Sequence, residues 1–174
     1  MSLKTVLSEL NQLESSGVVG RFAIGGAVGA LHYLPVASTE DVDVFVTFNP
    51  ETGNSLTPLA PIYEYLTRRG AVRKDGHLVI GSWPVQFLPA SGPLLEEAIA
   101  EALDLDVEGE HTRIFSAEHL AAIALNTGRA KDKARLLQML EAKALDLQRF
   151  KSIVARHALV PQWERFAAQF PEAM

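Results

Sequence analysis

Two aspartates one residue apart stand in the run Asp41-Val42-Asp43-Val44-Phe45. On an extended strand, residues i and i+2 share a face while their neighbours point the other way. Both carboxylates then project together, and Val42, Val44 and Val46 turn to the opposite face. Like charges held that close repel each other. A divalent cation removes the conflict, and hard oxygen ligands of this kind suit magnesium carrying a nucleotide phosphate. The pattern therefore points to phosphoryl-transfer chemistry, against the competing reading of an edge strand with a solvated polar face.

Upstream, Phe22-Ala23-Ile24 ends an apolar run in Gly25-Gly26. Such a bend serves as a tight turn between strand and helix. Opening a helix, it also exposes backbone N–H groups that can cradle a phosphate. Ser38, just before the acids, offers a hydroxyl to the same place. Downstream, Lys131 and Arg135 stand four apart and share a helix face, and Asp132 is spaced to pair with Arg135 at i,i+3. These charges fit either a triphosphate-binding face or a solvated one.

Taken in order, these residues resemble the nucleotidyltransferase superfamily, whose signature is a Gly-Gly or Gly-Ser turn, a spacer and an Asp-x-Asp pair on a strand. Leu120-Ala121-Ala122-Ile123-Ala124-Leu125 leading into Gly128-Arg129-x-Lys131-Asp132 is similar to the abortive-infection-type (AbiEii-like) branch. The likeness spans residues 19 to 141. It implies Mg2+ or Mn2+ held by Asp41 and Asp43, and an NTP bound by Gly25, Gly26, Ser38, Lys131, Asp132 and Arg135. A nucleoside monophosphate would pass to an acceptor hydroxyl on RNA or protein, and a cognate antitoxin would be a partner.

Catalytic members carry a third carboxylate on a later strand. Here the strand Pro84-Val85-Gln86-Phe87-Leu88 offers Gln86 at the matching catalytic position. A Gln amide accepts a hydrogen bond but carries no negative charge and cannot act as a general base. The alternative function is thus a non-catalytic nucleotide-binding or interaction module that lost this group.

The elements that must position these residues follow from periodicity. Helical spacing covers 3–16, 26–34 and 59–70, a helix opens at Gly92-Pro93 and continues to Leu103, and helices follow from Ser116, after Gly128, over 145–157 and over 161–170. Strands are predicted over 18–24, 41–48, 71–74, 77–80 and 83–88, with Asp75-Gly76 as a hairpin turn. Residues 105–115 read as a hairpin or an irregular connection, and 49–58 as a loop. The predicted class is α+β (mixed α/β): a nucleotidyltransferase-like α/β core over 1–115 with a small mixed sheet, and a helical C-terminal portion over 116–174.

Composition narrows the function classes. The 174 residues hold no cysteine, which excludes disulfides, thiolate metal sites and cysteine nucleophiles. A formal net charge of −5 argues against broad nucleic-acid affinity, although Arg129, Lys131, Lys133 and Arg135 form a local basic group. No apolar run approaches the roughly 20 residues that cross a bilayer, and no signal-peptide layout opens the chain, so cytoplasmic residence is expected and membrane partners are not. The five histidines lack i,i+4 zinc spacing; His32 alone is placed near the acids. No Ser-His-Asp order or Gly-x-Ser-x-Gly elbow supports a hydrolase.

Overall fold

Alternation along the central strands divides the apolar residues between two faces of one sheet, and helices must cover both. The computed structural model describes residues 2–34, 39, 41–48 and 58–173. Its strands are β1 (Arg21–Ile24), β2 (Val42–Thr47), β3 (Val72–Lys74), β4 (His77–Ile80), β5 (Trp83–Pro89), β6 (Leu103–Val107) and β7 (Glu110–Ile114). They form a mixed sheet in the order β3-β4-β5-β2-β1-β7-β6. β2 runs parallel to β5 and antiparallel to β1, and β1 is parallel to β7. The acidic segment thus lies at the centre of the sheet, with a paired strand on either side, and not at an edge.

One face is covered by α1 (Lys4–Ser15) and α3 (Ala60–Arg68). Val6, Leu7, Leu10 and Leu13 from α1 meet Ile62 and Leu66 from α3 over Val42, Val44, Val46, Val85 and Phe87. Each such side chain, fully buried, contributes about 1.5–3 kcal/mol relative to exposure. The other face carries α4 (Pro93–Ala100), α5 (Ala117–Thr127), α6 (Ala130–Glu141), α7 (Leu147–Arg156) and α8 (Val160–Gln169). Their core joins Ala23 and Phe45 of the sheet to Ala98, Phe115, Ala121, Met139, Phe150 and Phe166. Small residues at Ala121 and Ala122, both 0% exposed, let α5 lie close against its neighbours.

Several boundaries differ from the periodicity. The helix expected over 26–34 is only α2 (Gly26–Ala30), with Leu31–Tyr33 in turns. Leu103, expected as helical, begins β6, because pairing with Ile114 takes it into the sheet after α4 ends. The 105–115 segment is a hairpin, made possible by Glu108 (φ 55°) and Gly109 (φ 80°) at the turn, whose N–H donates to Asp106 Oδ1 at 3.0 Å. Ser38 and residues 49–57 of the loop expected over 49–58 lie outside the described residues.

Ion pairs tie α1 across the sheet's first face. Arg113 on β7 forms a bidentate pair with Glu14 at 2.7 and 3.0 Å, and Arg69, just past α3, does the same with Glu9 at 2.6 and 3.1 Å. No helix among the described residues is long and apolar enough to cross a membrane.

Candidate functional site

Asp41 immediately precedes β2 and Asp43 is its second residue, so both share the face that carries Phe45 while Val42, Val44 and Val46 are 0% exposed on the other. Gln86 stands opposite Asp43 in the β2–β5 register. Val85 and Phe87 are buried with the valines, which leaves Gln86 exposed on the aspartate side. Neighbouring strands lie about 4.8 Å apart, so an atom held by Asp43 is within reach of Gln86.

The glycine bend is fitted against Asp43. Gly25 N–H donates to the Asp43 carbonyl at 3.0 Å. Gly26 adopts φ +57°, and a Cβ there would lie 1.9 Å from Asp43 Oδ2. Since α2 has five residues, too few for a substantial helix dipole, the bend contributes room beside the carboxylate above all. Gly26→Ala is therefore expected to displace the carboxylate and to adopt a left-handed backbone at a cost of about 1–2 kcal/mol. Melting temperature and Mg2+ binding, followed by calorimetry, check both effects.

These groups open into a cavity of about 710 Å³. Asp41, Asp43, Gly26 and Gln86 line it on the sheet side, and Lys131, Asp132 and Arg135 from α6 line it from the helical side. Gly25 is buried behind the bend, packed against Phe45 and Phe115. Burial, and then the Asp41 charge, push the Asp43 carboxyl above its usual range, while Lys131, Arg135 and Arg129 pull it back. The acids thus repel each other, and the cations facing them across the space offset this only in part.

Three expectations change. Asp132 pairs with Arg129, at 2.6 and 3.3 Å, and not with Arg135; it is 3% exposed and holds the start of α6. The extended backbone of Arg129 brings its guanidinium back over the first turn, where Asp132 lies. His32 is exposed, in edge contact with Tyr33, whereas His157 lines the cavity beside Arg156. Spacing does not single out those two residues, because they come from the end of a helix far along the chain. The one signal for them is the pairing of Arg156 and His157 after an amphipathic stretch.

Behind Arg156 and His157, which line the cavity, Glu97 joins three elements. Arg156 donates to it at 2.6 and 3.1 Å, and His157 and His119 lie 2.8 and 3.2 Å away. These donors, Arg156 foremost, bring the Glu97 carboxyl down to about 2. Depression of a carboxyl means that its stabilising effect is complete above the ordinary value of 4.5 and is lost as the pH falls from there toward 2. Glu97→Gln is expected to remove this acid limb and to cost about 1–3 kcal/mol at neutral pH. Urea denaturation across the acid range measures it.

Ser116, the N-cap of α5, lies 2.9 Å from His119 Nδ1, so Ser116, His119 and Glu97 form a hydrogen-bonded series. It is not a hydrolytic centre: Ser116 is 1% and His119 0% exposed, and no substrate reaches them. Glu97, Glu101 and His119 also converge closely enough to suit a metal. Arg156 and Arg149 already occupy the two carboxylates, which makes this an ion-pair network.

At Asp41 and Asp43 the donors do fit a divalent cation. They are hard oxygens, their repulsion is relieved by positive charge, and the missing Cβ of Gly26 leaves space at Asp43 Oδ2.

The described fold is that of nucleotidyltransferase-like proteins. An antigenic nucleotidyltransferase-like protein from Paracoccidioides brasiliensis superposes with a TM-score of 0.59 at 17% identity, over 99% of this chain and 91% of that one. ANT(2″)-Ia in complex with adenylyl-2″-tobramycin gives a TM-score of 0.52 at 17% identity, over 91% and 97%. A solution structure of the antibiotic-resistance factor ANT(2″)-Ia gives 0.52 at 15% identity, over 97% and 96%. No family model and no curated protein matches the sequence.

Proposed function

We propose that this protein transfers a nucleoside monophosphate from an NTP to an acceptor hydroxyl. One observation carries the reading: Asp41 and Asp43 face Lys131 and Arg135 across a single cavity, and among the described residues neither cation has a carboxylate within salt-bridge distance. The 1–115 core supplies the acids and the 116–174 helical portion the cations, so the site forms only where the two parts meet. The nucleotidyltransferase-like fold supports the same reaction class.

Asp41 and Asp43 would hold Mg2+ or Mn2+, which when bound neutralises triphosphate charge and favours in-line displacement. Lys131 and Arg135 hold the β- and γ-phosphates by direct charge. Gln86 accepts a hydrogen bond from the acceptor hydroxyl through its amide oxygen and so aims that oxygen at the α-phosphorus. The new P–O bond forms as the α–β bridge breaks and pyrophosphate leaves. The hydroxyl proton passes to water or to a substrate phosphate, because Gln86 has no basic form. Asp132 contributes indirectly, by fixing Arg129 and the start of α6. An NTP donor fits the cytoplasm.

The AbiEii-like branch, with an antitoxin partner, rests on the Leu120–Leu125 run leading into the Gly128–Asp132 motif. A non-catalytic nucleotide-binding module is favoured by one feature, the neutral Gln86 beside Asp43. Incubation with each α-labelled NTP, Mg2+ or Mn2+, and a panel of acceptors separates the readings. Label on an acceptor supports transfer; nucleotide binding with no label under either metal supports the module.

A further inference from the structure

Another part of the cavity lining has a different chemistry from the aspartates. Leu94 and Leu95 on α4, Ile123 on α5 and Leu88 at the end of β5 line it while only half-buried. Leu120, Ala124 and Leu159 close the apolar surface behind them. On α5, Leu120, Ile123, Ala124 and Thr127 recur at 3–4-residue spacing, so one helical stripe faces this space. Partly exposed leucines inside a concave site cost about 25 cal/mol per Å² of surface left in water, a cost that an apolar ligand removes.

Charge decides what that ligand is. Among the described residues, the carboxylates lining the cavity are Asp41, Asp43 and Asp132. The first two would hold the cation under the proposed function, and the third is bonded by Arg129. Nearby Glu97 is engaged by Arg156, His157 and His119. Among the described lining residues, no carboxylate is left to receive an ammonium group. Arg156 is itself neutralised by Glu97, so it offers little to an anion. Neutral hydrogen-bonding groups do remain at the rim, in Ser91 and Asn126.

We infer that the acceptor is a small, uncharged alcohol with an apolar body, seated against Leu94, Leu95 and Ile123 with its hydroxyl toward Gln86. This rests on the transfer reading above and deepens it. Among the described lining residues, a polycation such as tobramycin, which appears adenylylated in one of the structural neighbours, finds no free carboxylate as counter-charge. A polynucleotide would need a row of Lys and Arg along the acceptor path, where this cavity presents leucine and isoleucine.

The test uses the full chain with Mg2+ and a naphthyl-substituted ethanol as fluorescent probe, alongside calorimetry with a non-hydrolysable NTP analogue. Saturable one-site binding of the probe is expected. Ile123→Glu should weaken it about tenfold or more, the equivalent of about 1.4 kcal/mol, while changing the analogue's affinity less than about twofold. Leu95→Gln, at a half-exposed position, gives the same readout should Ile123→Glu fail to fold. Absence of saturable probe binding with the analogue still bound overturns the acceptor assignment and leaves transfer intact. So does tighter binding of tobramycin or of an oligoribonucleotide. Loss of analogue binding in Ile123→Glu would show that the wall holds the nucleobase, which also overturns it. Failure of the wild-type protein to bind the analogue removes the transfer reading itself.

Discussion

Asp43→Asn is expected to reduce nucleotide transfer by about 10³-fold or more, because under the proposed function it removes a charged oxygen from the pair that would hold the cation at the transferring phosphate. The same substitution should raise the melting temperature of the ligand-free protein at neutral pH. The sign follows from the environment of the carboxyl: burial first, and the Asp41 charge second, raise its titration above the ordinary 3.8. The fold therefore tolerates the protonated form best. Its stability contribution is most favourable below 3.8 and declines as the pH rises through the elevated value. An asparagine stays neutral throughout, so the variant should show a flatter dependence of stability on pH in that window. Added Mg2+ should stabilise the wild type and leave the Asp43→Asn variant nearly unmoved. Steady-state transfer assays paired with melting curves, with and without metal, provide both readouts. A variant that lost activity and stability together would instead mark Asp43 as structural.

Gln86→Asp is expected to act in the opposite direction and raise the transfer rate by about 10²-fold, within the range for a positioned general base. Its register fixes where the new carboxylate would sit, next to Asp43 on the parallel strand. Gln86 is exposed toward the cavity, so the change leaves the core untouched. A third negative charge would deepen the repulsion within the acidic group. The ligand-free variant should therefore melt lower, and it should recover more stability than the wild type on adding Mg2+ or Mn2+. The rate should acquire a further ascending acid limb, beyond the one that ionisation of Asp43 imposes on the wild type, since deprotonation of the new group would also be required. An unchanged rate with tighter metal binding would assign Gln86 to orientation alone.

Much of this site was legible along the chain because short-range geometry dictates it. Strand alternation places Asp41 and Asp43 with Phe45, opposite Val42 and Val44, whatever the rest of the molecule does. Four-residue spacing likewise puts Lys131 and Arg135 on one side of α6. The mixed α/β class and the hairpin at Asp75-Gly76 follow from the same local rules.

Other features depended on contacts between distant segments. Leu103 is helical by pattern but a strand by pairing with Ile114. Asp132 had two arginines at equal sequence distance, and the turn before α6 selected Arg129. The stripe at Leu120, Ile123 and Ala124 reads as ordinary core; only the placement of α4 and of Leu159 leaves part of it facing an open space. His157 and Arg156 reach that space from the far end of the chain through Glu97.

The sequence by itself determined which groups could carry charge, where the strand and helix faces lie, and that the residue beside Asp43 on the neighbouring strand, Gln86, is a neutral amide. The tertiary structure alone decided which of those faces meet across the cavity, which ions are already neutralised, and which apolar side chains remain uncovered. Periodicity is set by backbone geometry within a few residues, whereas neutralisation and exposure depend on what packs against a side chain from elsewhere.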